Sequence, residues 1–587
     1  MKRVDRGYGV CAMKKVLLHT KRATGLDMKM RAGVVGSEKG MVVMLVLILI
    51  VTLSLLAAAA NRNVVTDIGI AANHLGSTQA FYAADAGAQY GFNRLWLQLQ
   101  LLSPNTAGIN PPALTGYTLS YTGPSFIQAI GGRVQRPATG TFAGLSAFVQ
   151  RWRMTSTATE ANTGAKGMVT LDVEDQLIPI FQFGVFYDHD LEMLPGANMT
   201  FNGGRIHSNN NIYMAESGAS VTFTVNSPIT SAQNLYAYRK DGSSTDHNVY
   251  ISNGQGSDPL LNIDSTSANW ASQSQTTWLG QVKTIDHGIT ALNVPMPVSG
   301  QPISLVGTGQ GSLDQMAGLQ ITDLTAKDKN GNTINICYHD GSHKDSHGNV
   351  ITDPGCSGAN NVNPVTAGTV YDYRQGGLQT VYNLDLNGLQ QSAVAMAALG
   401  NPPTSCDPGI LYISSSDSTK SVRLENGATI PATGLTIASN LPVYVQGNYN
   451  TANNPAAIMA DAVTVLSGAW KDTYNAGTSI SSRTATATTV NAALMVGNKD
   501  TSGSQYSGGL ENLIRFLENW SGVTFTYGGS LVCLWQSVHA TANWPGTGTV
   551  YNPPNRNWSY GINVNRLPPG TPRVRYVMKL GWRVVTN

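Results

Sequence analysis

Ionisable side chains gather in two short stretches of this 587-residue chain. The first is YDHDLE, holding Asp188, His189, Asp190 and Glu192. On a strand, residues 188, 190 and 192 share one face, where three carboxylates could hold Ca²⁺ or act as acid and base. Acidic surface loops often have this make-up without a task, and the stretch is read as such a loop. The second is CYHDGSHKDSHGNVITDPGC, from Cys337 to Cys356, with His339, His343 and His347 and the acids Asp340 and Asp345. Histidines four apart would meet on one helix face, but Gly341 and Gly348 disfavour a helix, and no His/Cys zinc spacing is satisfied. The tract reads as a solvated loop, so no metal and no cofactor are expected. The sequence has no G-x-S-x-G, P-loop, H-E-x-x-H or dinucleotide-binding fingerprint. No catalytic residue is assigned, and the chain is expected not to be an enzyme.

The elements that place these groups, and the side of a membrane they occupy, are decided near the N-terminus. The stretch GSEKGMVVMLVLILIVTLSLLAAAANRN contains twenty uncharged residues, Met41–Ala60. A secretory h-region needs about 7–15 apolar residues and a bilayer-spanning helix about 20. Residues 1–39 carry ten Lys/Arg and three Asp/Glu, a net of +7, and a flank this basic stays cytoplasmic. The chain beyond Ala60 is therefore expected outside the cytoplasm. The whole chain is +3, so the remainder is +3 − 7 = −4, and nothing points to nucleic acid. Setting aside Cys11 in the leader leaves four exterior cysteines, an even number in an oxidising compartment. Cys337 and Cys356 are expected to close the polar loop as a disulfide. Cys406 and Cys533 could form a second pair, or Cys533, in GSLVCLWQ, could be a buried thiol.

Asn61–Leu102 has no proline and reads on as helix. Ala80, Ala84 and Ala88 are four apart, as are Ala83, Gly87 and Gly91. They make a flat face that another helix backbone could approach, or that packs on the chain's own head. A helix of about 55–60 residues would be roughly 85 Å long. Without a sustained heptad, that length suits a filament subunit better than a coiled coil.

Residues 37–100 resemble the N-terminal region of PilX-type minor pilins. The resemblance rests on EKG before the uncharged run, TLSLLAAA at its end, and AFYAADAGAQYGF, where Asp85 stands in place of the family's glutamate. It implies that prepilin peptidase cuts between Gly40 and Met41 and leaves the run as an anchor. Gly36 is a second candidate cut, and a signal-peptidase A-x-A site exists at Ala57–Ala60. The expected partners are prepilin peptidase, major and minor pilins, the inner-membrane assembly machinery, the inner membrane itself and a surface ligand. The expected location is a single inner-membrane pass followed by an extracellular pilus. Major pilins carry an acid five residues after the cut; here that position is Leu45. The resemblance thus implies a subunit of low copy number near the tip.

The expected fold class is α+β, in four parts: a basic leader (1–40), the anchor and pilin helix (41–102), a small antiparallel head sheet (103–180) and a large all-β region (181–587). The whole chain has 62 Gly and only 12% charged residues, and the last part is solvated by amides and hydroxyls. Its strands of three to five residues with Gly/Asn corners suit a β-solenoid, with an irregular insertion at about 230–400; β-sandwiches are the alternative. GGLENLIRFLENW is expected to be a short capping helix with Leu510, Leu513, Ile514 and Leu517 on its apolar face.

Overall fold

The computed structural model describes residues 38–587 except 244–246, 297–302, 308, 310, 340–355, 357–360, 401–408 and 585–587. The chain divides into two compact units at Leu75/Gly76. Helix α1, Glu38–Leu99, runs through the division. In the first unit, its residues from Gly40 to Leu75 are exposed throughout, as an apolar segment without protein partners must be. Among the described residues this is the one helix long and apolar enough to cross a membrane, with mean hydropathy 3.0 over an 18-residue stretch.

In the second unit, the rest of α1 packs on an antiparallel sheet. Its strands are β1 (Tyr117–Ser120), β2 (Ile127–Pro137), β3 (Ser146–Glu160) and β4 (Lys166–Pro179). β3 pairs with β1, β2 and β4, all antiparallel. The β3–β4 turn is closed by the Glu160 carboxylate, which accepts the Thr163 and Asn162 amides at 2.7 and 3.3 Å, while Gly164 takes φ +71°. A further strand comes from the far end of the sequence: the C-terminal strand Arg573–Val584 pairs antiparallel with β4. The reading of residues 181–587 as a separate region did not foresee this return.

Between β4 and that last strand the pairing is mostly parallel. An eleven-stranded sheet, counted over the described residues, carries one continuous apolar ladder. Leu319 sits on Leu411, and the ladder continues through Ile437, Ile458, Leu494, Leu531, Val185, Ile206, Ile229 and Val282. All ten are buried. Sequence order breaks between Leu531 and Val185: the later segments form one half of the sheet, and the earlier segments continue it. The same seam recurs in a second sheet, where Asn555–Ser559 lies parallel to Met199–Asn202. Asparagines serve the corners. Asn426, Asn450 and Asn453 take positive φ, and Asn450 gives its amide to the Asn454 and Asn491 carbonyls. Antiparallel sandwiches would pair these strands the other way. Antiparallel pairs occur at the edges: Leu319–Thr322 with Thr325–Asp328 in the eleven-stranded sheet, and Val365–Asp372 with Gly377–Asp385 at the start of a third, otherwise parallel sheet.

The opposite face of the eleven-stranded sheet is also dry. Ala438, Met459, Met495, Val532, Phe186 and His207 succeed one another there, covered by Phe142, Leu292, Leu305 and Val574. The capping helix expected at 508–520 is instead a 3₁₀ turn, Leu510–Asn512, followed by a strand, Ile514–Phe516.

Candidate functional site

The small-residue stripe is covered by the chain's own sheet. Ala80, Ala83, Ala84 and Ala88 are buried, and a Cβ added at Gly87 would lie 2.2 Å from Ser156 Oγ. One added at Gly91 would meet Met154 and Phe126 at 2.9–3.0 Å. Reciprocally, a Cβ at Gly167 on β4 would stand 2.5 Å from the Phe81 amide nitrogen. Of the two readings of this face, the structure takes packing on the head. Small residues here admit a strand, so they are not available to a neighbouring helix.

The returning C-terminal strand fastens the helix to the sheet. Trp582 Nε1 donates to Asp85 at 2.7 Å, and Lys579 Nζ donates to Gln89 at 2.8 Å while lying 4.4 Å from the centre of the Phe92 ring. Asp85, the departure from the family's glutamate, thus has a partner 497 residues away in sequence. Arg575 pairs with the buried Asp175 at 3.0 Å and gives a hydrogen bond to the Leu99 carbonyl, a cation placed on the helix C-terminus. Sequence reasoning missed this clamp. Its only signal was the alternation in RVRYVMKLGWRV.

At the other end of α1 the residues stand open. A Cβ added at Gly40 would meet nothing within 4 Å, and Met41 and Leu45 are exposed. Residues 1–37 of the leader (1–40), among them the alternative cut at Gly36, lie outside the described residues.

The YDHDLE acids do not line one strand face, although Asp190 and Glu192 both reach Lys240. Strand Leu191–Met193 holds only Glu192; Asp188 and Asp190 precede it, each with its own partner. Asp188 accepts from Asn209 at 2.6 Å, and Asp190 meets Lys240 Nζ at 2.8 Å. His189 lies between Cys533 Sγ and Asp500, 3.3 Å from each. Glu192 is buried at the seam, accepting from Thr501 Oγ1 at 2.8 Å with Lys240 at 3.9 Å. Among the described residues, no group of three His, Cys, Asp or Glu is placed to hold a metal ion.

Burial pushes the Glu192 carboxyl from 4.5 to about 7, against the hydrogen bond from Thr501 and the charge of Lys240. The folded state therefore holds this proton more tightly than the unfolded chain. The associated stability is complete below about pH 4.5 and is lost as pH rises through about 7, a span corresponding to about 3 kcal/mol. Gln in place of Glu192 keeps the shape and cannot ionise. We expect Glu192→Gln to gain about 3 kcal/mol on wild type between pH 4.5 and pH 8, read as the difference between their denaturant unfolding curves. A difference independent of pH would refute this assignment.

Cys337 and Cys356 are joined as a disulfide, Cα–Cα 6.0 Å. Cys533 is a buried free thiol, the second of its two readings, and Cys406 lies outside the described residues. Of the histidine tract, His339 faces Asn361 at 3.4 Å; His343, His347, Asp340 and Asp345 lie outside the described residues.

Residues 39–89 match the PilX N-terminal family. No curated protein matches the chain. Among solved structures, the competence-associated pilin ComZ from Thermus thermophilus is similar at 10% identity, over 87% of this chain and 97% of that one, with a TM-score of 0.25. Over residues 39–89, which form most of α1, this chain is thus similar to the PilX N-terminal family, the resemblance read from its sequence.

Proposed function

We propose that the chain is a minor subunit of a type IV pilus or related filament, made with a basic leader (1–40) and cut by prepilin peptidase between Gly40 and Met41. The observation that carries this reading is the PilX N-terminal match lying over Lys39-Gly40 and the uncharged run Met41–Ala60. Before assembly the run holds the protein in the inner membrane in a single pass. Afterwards it joins the helices of major and minor pilins through the inner-membrane machinery. Beyond the anchor lie the pilin helix, a head sheet and an exterior β-solenoid. The solenoid reading is supported by parallel pairing and by the apolar ladder running from Leu319 to Val282. We read the exterior region as an adhesive domain displayed at the filament tip.

Two features favour the tip. Leu45 offers no carboxylate to pair with a neighbour's terminal ammonium, so a repeating register in the low-dielectric bundle lacks its charge pair. The small-residue stripe is already spent on the head, so it adds no helix-docking face along the shaft. Immunogold labelling of sheared filaments should place this protein in few copies at one end. Dense labelling along the shaft would contradict the tip position.

A further inference from the structure

Beside the seam, an amine, a carboxylate and a second carboxyl meet in one place. Lys240 Nζ lies 2.8 Å from Asp190 Oδ2 and 3.9 Å from Glu192 Oε1. Three parallel strands bring them together: Leu191–Met193, Ile212–Met214 and Leu235–Tyr236. Asp190 immediately precedes the first, and Lys240 follows the third. Glu192, Tyr213 and Tyr236 stack in register across them. Lys240 turns back over this stack, its Nζ 5.7 Å from the centre of the Tyr213 ring.

An ordinary salt bridge needs only Lys240 and Asp190. Here the carboxylate is also held for attack. Asp190 Oδ1 accepts the backbone amide and the side-chain amide of Asn211, at 3.2 and 3.1 Å, which leaves Oδ2 to Lys240. Two N–H donors on one carboxyl oxygen are what a developing oxyanion needs. Glu192, pushed up to about 7 by burial, keeps its proton over most of the range below neutral pH, and Thr501 Oγ1 fixes its place. It can therefore give and take a proton at this site. Burial lowers the Lys240 ammonium, but the hydrogen bond and charge of Asp190 outweigh it, so the resting pair is ionic.

We infer that Asp190 and Lys240 become joined by an intramolecular amide bond, with Glu192 as the acid–base group. A proton first passes from Nζ to Oδ2 along their 2.8 Å contact. Nζ then attacks Cγ, and the C=O electron pair moves onto Oδ1, where the two Asn211 donors hold it. Glu192 protonates the Oδ2 hydroxyl, which leaves as water while the pair on Oδ1 re-forms the double bond. Glu192 then takes a proton back from the nitrogen. One ammonium and one carboxylate have become one amide and one water, with no oxidant, reductant or activated co-reactant. Groups held in contact react at effective molarities of about 10⁵–10⁸ M, which offsets the cost of making an amide in water. The bond ties the first of the three strands to the third, closing a covalent ring from residue 190 to residue 240. It is independent of the pilin reading. An amide does not titrate, so its loss in Glu192→Gln leaves the pH-dependent gain given above in place.

The test is tryptic peptide mapping by mass spectrometry of the full-length protein purified from membranes. Wild type should yield the Asp190 and Lys240 peptides as one branched species, lighter by one water than their sum, with no cleavage after Lys240. Lys240→Arg, which keeps the charge and cannot form the amide, should give only linear peptides, as should Asp190→Ala. Glu192→Gln cannot shuttle a proton and should form the branched species about a hundredfold more slowly in pulse-labelled protein. The inference is overturned if wild type gives only linear peptides, if water is lost at Asp190 without a branch to Lys240, or if the branch runs to Glu192. Branching at the wild-type rate in Glu192→Gln would overturn the role of Glu192.

Discussion

Gly167→Val should loosen the head about a hundredfold, read as hydrogen-exchange protection over Ser146–Pro179. Gly167 is on β4, where valine suits the extended backbone. What it does not suit is α1. A Cβ there would stand 2.5–2.6 Å from Phe81 N, Phe81 Cα and the Ala80 carbonyl carbon, all backbone atoms of the helix. A clash with a flexible side chain relaxes by rotation; one with helix backbone relaxes only if the helix lifts away. Lifting it uncovers Ala84, Ala88, Leu95, Met154 and Leu171, all buried now. Overpacking a core costs about 1–3 kcal/mol, and the rigid neighbour puts this case at the upper end, about 3 kcal/mol or a hundredfold. Gly132→Val is the control: nothing lies within 4 Å of its Cβ, and its protection pattern should match wild type. Unchanged protection in Gly167→Val would mean that the helix does not rest on β4. The same reasoning applies to Gly87→Leu, which should destabilise the head, because Ser156 occupies that space.

Gly40→Leu should abolish maturation without harming the fold. A peptidase pocket that takes glycine has no room for a leucine side chain, so the precursor should accumulate with its 40-residue leader attached. Misfolding is a poor competing explanation. Gly40 is exposed, nothing lies within 4 Å of its Cβ, and leucine is the better helix former by about 0.8 kcal/mol. The variant should reach the membrane in normal amount and fail to enter filaments. Normal processing of Gly40→Leu would place the cut elsewhere.

The helix was the most legible element, because an uncharged run, the absence of proline and spacing by four are local signals. β3 and β4 were legible for a similar reason: their alternation and the turn ANTGAKG lie side by side. The strand Arg573–Val584 was not, since what identifies it as part of the head is its pairing with β4, at the far end of the β-rich region in sequence. The order of the parallel strands was equally hidden. Local apolar pattern tells a strand which residues face inward, but not that Leu531 stacks on Val185. The misread helix at 508–520 has a different cause. Leu510, Leu513, Ile514 and Leu517 do fall at helical spacing, and the reading assumed that the polar residues between them face water. Glu511, Asn512, Arg515 and Glu518 are all buried, so no solvent-facing side exists for the period to report. Glu518, for one, is satisfied inside by the Ser467 amide and hydroxyl at 2.6 and 2.7 Å. At YDHDLE the period-two pattern failed because only Glu192 is in the strand; the two aspartates precede it.

The central claim is that one apolar stretch is both the processing signal and the permanent anchor of a pilin-like subunit. The mature N-terminus, read by mass spectrometry on protein from cells that make prepilin peptidase, tests it most directly. The account predicts a chain beginning at Met41 with the run Met41–Ala60 intact. A chain beginning after Ala60, or one that keeps its leader, would contradict it.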